Sequence, residues 1–261
     1  MAMQPRRWVK NQVRARAARQ WAEFADTADG LGMGRLRALQ DEAGGLRRSL
    51  DRFIGRARPR LDGAARALDV LNLPGGTDWR WRPSFLSAPI SPTGIAAPEN
   101  ATRLGDEAAV WHDCQARALI LRQTSNRSAA DLAPYGLLLE TMGFSGNYLS
   151  ISIDLPAQAL VGLTRSHIVR LDATLSVERP MSIYGRLNIG HGPNTDELLR
   201  HLGDLVPGVT ENLVIEFDLH YVEMNEKRLE KLWLDLIFET PQMNAVRLRD
   251  VFLSRHLRAE V

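Results

Sequence analysis

The chain has 261 residues, of which 44% are hydrophobic and 25% charged, a composition typical of a globular protein with a sizeable core. Its single cysteine, Cys114, excludes an intrachain disulfide and favours folding in a reducing compartment. The sequence shows no secretory signal and no run approaching the roughly 20 apolar residues of a membrane span, so we expect a protein made in the cytoplasm.

The formal net charge of +2 is distributed unevenly along the chain. Residues 1–71 hold 15 Lys and Arg against 8 Asp and Glu, a charge of +7, which leaves −5 on the remaining residues. This asymmetry predicts an acidic partner for the N-terminal segment, such as a protein, a membrane surface or nucleic acid. No nucleic-acid-binding motif accompanies the basic residues, so we expect no nucleic-acid partner.

Residues 1–71 are predicted to form a basic, amphipathic helical arm. Pro5 suits the first turn of a helix, and the apolar residues that follow it recur at spacings of three and four. After a glycine-rich break at residues 30–34, a second helix carries apolar residues in a heptad-like seam. The candidate attachment residues of this arm are Trp8, Arg14, Trp21, Leu36, Leu39, Leu46, Leu50 and Phe53.

The amphipathic pattern leaves three settings open for this arm. The three settings are packing on the β-rich part of the same chain, docking on another subunit or particle, and lying on a lipid surface. Trp8 and Trp21 beside arginines suit a lipid interface, but this pattern is the weakest of the three signals, so a membrane partner is disfavoured.

Residues 72–107 are rich in proline and glycine and are predicted to form a linker or an extended strap. Within this segment, Trp79 and Trp81 alternate with arginines, which places both tryptophans on one face of an extended chain. Residues 108–123 then predict a strand pair, or one strand that turns at residues 112–114.

Residues 108–261 are predicted to form an antiparallel β-sandwich of jelly-roll type, because strand patterns follow one another without regularly intervening helices. A hairpin is expected around Ser145, Gly146 and Asn147, and a short helix is expected after a cap at Asn194 or Thr195. Further along, alternation places Ile215, Phe217 and Leu219 on a core-facing side.

Carbohydrate binding is one ligand chemistry to weigh for these residues, although each aromatic candidate is more often a core or strand-packing residue. Flat aromatic side chains stack on the apolar faces of sugar rings, while amides and acids bond to the hydroxyl groups. The candidate carbohydrate-binding residues are Trp79, Trp81, Trp111, His191 and Asn194, with Tyr148 and Tyr184 as further aromatic candidates. For His191 and Asn194 a plain turn with a helix cap is the favoured interpretation, because Gly-Pro-Asn forms turns without any ligand.

Catalytic motifs are absent from the sequence. Asp154, Asp172, Asp218 and Asp235 lie in strand patterns, and a pair of them about 5–10 Å apart would suit glycoside hydrolysis, although solvent-facing strand positions are the simpler interpretation. We interpret Cys114 as a small buried hydrophobe. No metal-ligand spacing or phosphate-binding loop is present, so neither a metal nor a cofactor is expected.

Several phrases of the sequence are distinctive enough to carry a family resemblance. They are WRWRP at 79–83, WHDC at 111–114, LRQTSN at 121–126, SIDLP at 152–156, ERP at 178–180, LNIGHGPN at 187–194 and WLDLIFETPQMN at 233–244. Through them, residues 79–261 resemble an alphaproteobacterial family of unknown function, some of whose relatives are linked with gene transfer agents, which are tailed-phage-like particles released by lysis. The resemblance implies a head-spike component.

Together these observations predict a non-enzymatic structural and adhesion protein. The arm would attach it to capsid or spike proteins, and the sandwich would face another spike subunit or cell-surface polysaccharide. We expect a homo-oligomer that is made in the cytoplasm and released in a phage-like particle by lysis. The alternatives are a cytoplasmic enzyme acting on polysaccharide and a peripheral membrane protein held by the arginine-rich helix.

Overall fold

The computed structural model describes residues 5–61, 72–128 and 130–259. The helices are α1 (Pro5–Asp26), α2 (Met33–Leu61) and α3 (Ser84–Ser87). The strands are β1 (Thr77–Trp81), β2 (Gly94–Ala96), β3 (Thr102–Leu104), β4 (Ala108–His112), β5 (Leu119–Ser125), β6 (Tyr135–Met142), β7 (Leu149–Asp154), β8 (His167–Val177), β9 (Ile183–His191), β10 (Asn194–His201), β11 (Glu211–Asp218), β12 (Leu229–Phe238) and β13 (Met243–Leu257). They form an antiparallel β-sandwich preceded by helices, which confirms the predicted fold class.

The first two helices confirm the helical character of the N-terminal segment. Pro5 begins α1, and the ring of Trp21 packs edge-on against Phe24 with a centroid distance of 5.6 Å. The chain divides into two compact units, Met1–Leu50 and Asp51–Val261, and residues 62–71 of the predicted arm lie outside the described residues. Within the described ranges, no helix combines the length and the apolar character that crossing a membrane requires.

The strands are divided between two sheets. Sheet A has the order β11-β8-β13-β6-β5-β2, with β1 paired to the C-terminal half of β13, and sheet B has the order β10-β9-β12-β7-β4-β3. The segment 72–107, predicted as a linker or an extended strap, holds β1, α3, β2 and β3 and contributes strands to both sheets.

The connection between β6 and β7 corrects the predicted hairpin around residues 145–147. The strands belong to different sheets, because β6 lies in sheet A and β7 in sheet B. Asp113 holds the connecting loop through both carboxylate oxygens. Its Oδ1 accepts hydrogen bonds from the backbone N–H groups of Asn147 at 2.7 Å and Tyr148 at 3.1 Å, and its Oδ2 accepts from Nδ2 of Asn147 at 2.9 Å. A turn-forming sequence therefore serves here as a crossover between the two sheets.

The segment that follows His191 also differs from its prediction. Instead of a helix capped by Asn194 or Thr195, residues 194–201 form β10, which pairs with β9 over its full length. The turn itself is confirmed, since Gly192 has a positive φ of 57° between the two strands. Pairing along eight residues outweighs a local capping signal, because helix propensity is weak compared with tertiary context.

The core lies between the two sheets and is built from one side of each strand. Leu171 of β8, Leu187 of β9 and Leu234 of β12 are fully buried there. Phe217 and Leu219 are buried as predicted, and Cys114 is buried as a small apolar residue. Close packing of such branched side chains stabilises the sandwich through the hydrophobic effect.

An arginine at one end of β13 holds three segments together. Arg255 is 4% exposed, and its Nε and Nη2 donate to the two carboxylate oxygens of Asp78 in β1 at 2.9 and 2.7 Å. Its Nη1 donates to the carbonyl oxygens of Ala159 and Val161 at 3.1 and 3.0 Å. All of these bonds depend on one buried cation, so Arg255 anchors β1 and the 157–161 segment to sheet A.

Replacing Arg255 with alanine is expected to lower the free energy of unfolding by about 3 kcal/mol, since it leaves two carbonyls and a carboxylate without their donor. Urea denaturation followed by tryptophan fluorescence measures the loss. The matched control is Arg122→Ala, which removes an ion pair with Glu140 from a half-exposed arginine and is expected to cost no more than about 1 kcal/mol. Equal losses in both variants would contradict the anchoring role of Arg255.

A second expectation concerns the stability of the folded protein at low pH. The hydrogen bonds from Arg255 lower the pKa of Asp78, so the ionised carboxylate stabilises the folded state above the carboxyl group's unfolded pKa. As the pH falls through the lowered folded pKa, this contribution disappears. The difference in unfolding free energy between the wild type and Asp78→Asn is therefore expected to be constant near neutral pH and to shrink below about pH 4. A pH-independent difference would rule this coupling out.

Candidate functional site

Strand alternation gives sheet B one face that packs on sheet A and one outer face. In β12, Leu234 and Leu236 are buried in the core, so Trp233, Asp235 and Ile237 between and beside them face outward. The same alternation in the other strands defines the complete outer face of sheet B.

One row of this outer face crosses five neighbouring strands. Cross-strand pairing aligns His201 of β10, Tyr184 of β9, Ile237 of β12, Ser150 of β7 and Trp111 of β4. We call these residues the aromatic row; at the usual strand spacing it spans about 19 Å. Trp111 is 42% exposed at one end. At the other end, the rings of Tyr184 and His201 lie 5.0 Å apart.

A third aromatic residue, Trp233, lies two rows away on the same face. The Nζ atom of Lys231 lies 5.0 Å from its ring centroid and also 2.8 Å from Asp154, to which Arg103 donates at 2.9 Å. Burial raises the pKa of Asp154, but the hydrogen bonds from Lys231 and Arg103 outweigh it, so the pKa lies below its ordinary value. Asp154 is therefore an ionised acceptor beside the indole ring.

A polar network fills the space between Trp233 and the aromatic row. Arg186 donates through Nη2 to Oδ2 of Asp235 at 2.9 Å, and Nδ2 of Asn188 donates to the same oxygen at 2.9 Å. Arg186 also reaches Glu197 at 3.3 Å. Asn188 is fully buried, and its Oδ1 has no hydrogen-bond partner. The network holds Arg186 in place and leaves one amide oxygen unsatisfied.

The outer face of sheet A has a different character. It is occupied by ion pairs: Arg82 binds both oxygens of Asp250 at 2.8 Å, and Arg170 binds Asp172 at 2.8 and 2.9 Å. Burial raises the pKa of Asp250 above its ordinary value even though the hydrogen bonds from Arg82 lower it. These charged side chains on sheet A pair with one another. On sheet B, by contrast, the exposed ring of Trp111 lies on the same face as the polar network.

The predicted carbohydrate-binding residues fall in three different places. Trp111 lies in the aromatic row. Trp79 and Trp81 share one face of β1 as predicted, with ring centroids 6.5 Å apart, but that face packs against the core. His191 and Asn194 pair across the β9–β10 hairpin, where His191 is buried with its Nε2 3.1 Å from Asp196. The structure therefore does not bring these five residues together.

The candidate attachment residues lie on α1 and α2. The side chain of Trp8 is outside the described part of the chain. Arg14 is exposed and Trp21 is half-buried on α1. On α2, the first two seam leucines are half-buried, whereas Leu46, Leu50 and Phe53 are exposed.

Sequence reasoning missed four residues of the outer face of sheet B, namely Trp233, His201, Arg186 and Asn188. Trp233 and Asp235 alternate with buried leucines in β12, and this alternation indicates that both residues share the face opposite the core. His201 and Arg186 had no local signal, because their place follows from the pairing of β9 with β10 and β12.

The acidic residues singled out from the sequence are separated by the fold. Asp154 and Asp235 lie on sheet B as diagonal neighbours, whereas Asp172 and Asp218 lie on sheet A. Each of the four carboxylates is ion-paired with a basic side chain. Among the described residues, no group of three or more His, Cys, Asp or Glu side chains is arranged to hold a metal ion.

Family membership follows from the whole sequence. The model of the family described as "Family of unknown function (DUF6478)" matches residues 1–261, so the chain belongs to this family. The match includes the helical arm, beyond the resemblance seen for residues 79–261, and it carries no link to alphaproteobacteria or gene transfer agents. No curated protein matches the chain.

Solved structures with related folds include two carbohydrate-binding modules and a phage protein. The CBM22-1 xylan-binding domain of Paenibacillus barcinonensis Xyn10C has 11% identity and a TM-score of 0.38, covering 64% of this chain and 94% of that chain. The family 11 module of Clostridium thermocellum, in complex with a β-1,3-1,4-mixed-linked tetrasaccharide, has 8% identity and a TM-score of 0.38, covering 59% and 91%.

The enzymatically active domain of tailspike protein 4 from bacteriophage CBA120 has 3% identity and a TM-score of 0.40, covering 56% of this chain and 19% of that chain. At these TM-scores, none of the three likenesses carries an argument about function.

Proposed function

We propose that this protein is a non-enzymatic adhesion protein that binds an extended polysaccharide on the outer face of sheet B. The observation that carries the proposal is the aromatic row, which places Trp111 and the Tyr184–His201 pair at the two ends of a five-strand surface. Rings separated in this way suit several sugar units of one chain, because each ring stacks on the apolar face of one sugar.

The polar groups beside the rings supply the second half of sugar recognition. Arg186, whose side chain is 35% exposed, offers donors, and Ser150 and Ser152 add hydroxyl groups on β7. Pre-formed networks bind ligands with a smaller entropic cost than mobile side chains. Asp235 and Glu197 hold Arg186 in one position, which fits such a pre-formed site.

The ion pairs of the carboxylates support binding rather than hydrolysis. A glycosidase needs one carboxyl group with a raised pKa to act as a general acid. Asp154 has a lowered pKa, because Lys231 and Arg103 both donate to it, and Asp235 is bound by Arg186 and Asn188. Asp154 therefore lacks the environment of a general acid.

The wider setting that we propose is a phage-like particle, as a head spike of a gene transfer agent. This part rests on the sequence resemblance of residues 79–261 and on the basic arm at residues 1–71. In this setting the arm attaches to capsid or spike proteins, and sheet B faces cell-surface polysaccharide or another spike subunit. Purified particles that keep the protein after deletion of residues 1–71 would refute attachment through the arm.

Alanine replacements in the aromatic row test the binding face. Trp111→Ala and Tyr184→Ala are each expected to lower the affinity for a bound polysaccharide at least about tenfold, or roughly 1.4 kcal/mol, because a stacking ring is lost. Glycan arrays select the ligand, and calorimetry measures the affinity. The control is Tyr221→Ala, which removes an aromatic side chain that is 70% exposed and follows β11 of sheet A.

Two results would contradict the proposed function. In the first, no glycan binds the wild-type protein, or all three variants bind as the wild type does. In the second, the wild-type protein releases sugar products and Asp154→Asn or Asp235→Asn abolishes the release, which would assign an enzyme instead.

A further inference from the structure

The second helix carries an apolar seam with a heptad period. Along α2, apolar residues recur at successive spacings of three, four, three, four and three, which alternate as positions a and d of a coiled coil. The seam residues are Leu36, Leu39, Ala43, Leu46, Leu50 and Phe53. The helix is continuous from Met33 to Leu61, so all six residues lie along one stripe.

Much of this seam is open to solvent. Leu46 is 41% exposed, Leu50 52% and Phe53 69%. Three large apolar side chains in consecutive seam positions form a contiguous apolar strip, which is typical of a contact surface. Gly44 and Gly45 lie at positions b and c, off the seam, and each costs about 1 kcal/mol in a helix relative to alanine. A helix with this cost gains stability from a partner on its apolar side.

We propose that α2 forms a parallel coiled coil with α2 of a second copy of this chain. In a parallel pair, each g residue faces an e residue of the partner's next heptad. Glu42 occupies a g position and Arg47 the following e position, so two symmetric Glu42–Arg47 pairs form between the copies. In an antiparallel pair centred on the same seam, Glu42 would face Ser49 and Arg47 would face Gln40.

The narrowness of the seam favours another helix, and not a lipid surface, as its binding partner. A stripe restricted to positions a and d is the narrow seam of a coiled coil, whereas a helix lying in a membrane interface buries a broader apolar face. On α2 the flanking e positions hold Gln40, Arg47 and Ile54, and the g positions hold Arg35, Glu42 and Ser49. Five of these six flanking residues are polar, so polar residues border the seam on both sides except beside Phe53.

Sedimentation of the full-length protein tests the proposal. The wild type is expected to sediment as a dimer of the 29.2 kDa chain at micromolar concentration. Leu46→Asp is expected to weaken association at least about 100-fold, because it buries a carboxylate in each copy's seam without a partner. The matched control, Ala38→Asp, places the same carboxylate at the outward c position and is expected to leave association unchanged.

Two further pairs of variants test the orientation of the helices and guard against unfolding as an explanation. Glu42→Arg is expected to weaken association, and adding Arg47→Glu to the same chain is expected to restore it. Leu39→Cys is expected to form a disulfide between copies, because equivalent d positions adjoin only in a parallel pair. Ala38→Cys, at the outward c position, is expected to form no such disulfide.

The outcomes separate the proposal from its rivals. A wild-type monomer, or an oligomer that Leu46→Asp leaves intact, would overturn it, and an oligomer without the Leu39→Cys link would overturn the parallel arrangement. A monomer that floats with anionic vesicles, and loses this binding in Leu46→Asp, would assign the seam to a lipid surface instead. Association is measured without glycan, so the result is independent of the proposed function.

Discussion

Burial of one face of each sheet is the constraint on which the rest of this structure depends. Because successive side chains of a strand point to opposite sides, burying Leu234 and Leu236 of β12 commits Trp233 and Ile237 to the other side. The pairing of β12 with β7 and β9 then lines up the outward residues of neighbouring strands. The aromatic row is therefore a consequence of core packing and strand register together.

Electrostatics separates the two outer faces of the sandwich. On sheet A, Arg82 and Asp250 bind each other, although burial raises the pKa of Asp250. On sheet B, Arg186 is held by Asp235 while aromatic rings remain exposed nearby. Stacking surfaces beside fixed polar groups are the combination on which the proposed sugar-binding face of sheet B rests.

The two proposals reinforce each other physically while resting on different parts of the chain. A single sugar-binding face with a few stacking rings binds weakly, since each contact contributes little. Two copies joined through α2 would present two such faces to one polymer, and linked sites raise the overall affinity by about 100-fold or more when both engage. Association through a helical seam would thus suit an adhesion protein whose individual contacts are weak.

Local sequence patterns predicted the element types well but not their partners. Alternation identified the strand around Phe217 and the shared face of Trp79 and Trp81, and both are confirmed. The hairpin around residues 145–147 and the helix after His191 were wrong, because turn and capping residues act locally while strand pairing is decided across the fold. Of the aromatic residues predicted to bind sugar, Trp111 and Tyr184 fall in the aromatic row.

The sequence by itself determined a β-sandwich, a basic helical segment and the heptad seam of α2, because periods of 2 and 3.5 residues are properties of the chain alone. Only the tertiary structure decided which face of each strand is buried. Trp79 and Trp233 sit in similar alternating segments, yet the first packs against the core and the second faces outward. Periodicity shows which side chains share a face, whereas the packing of one sheet on the other decides which face meets solvent.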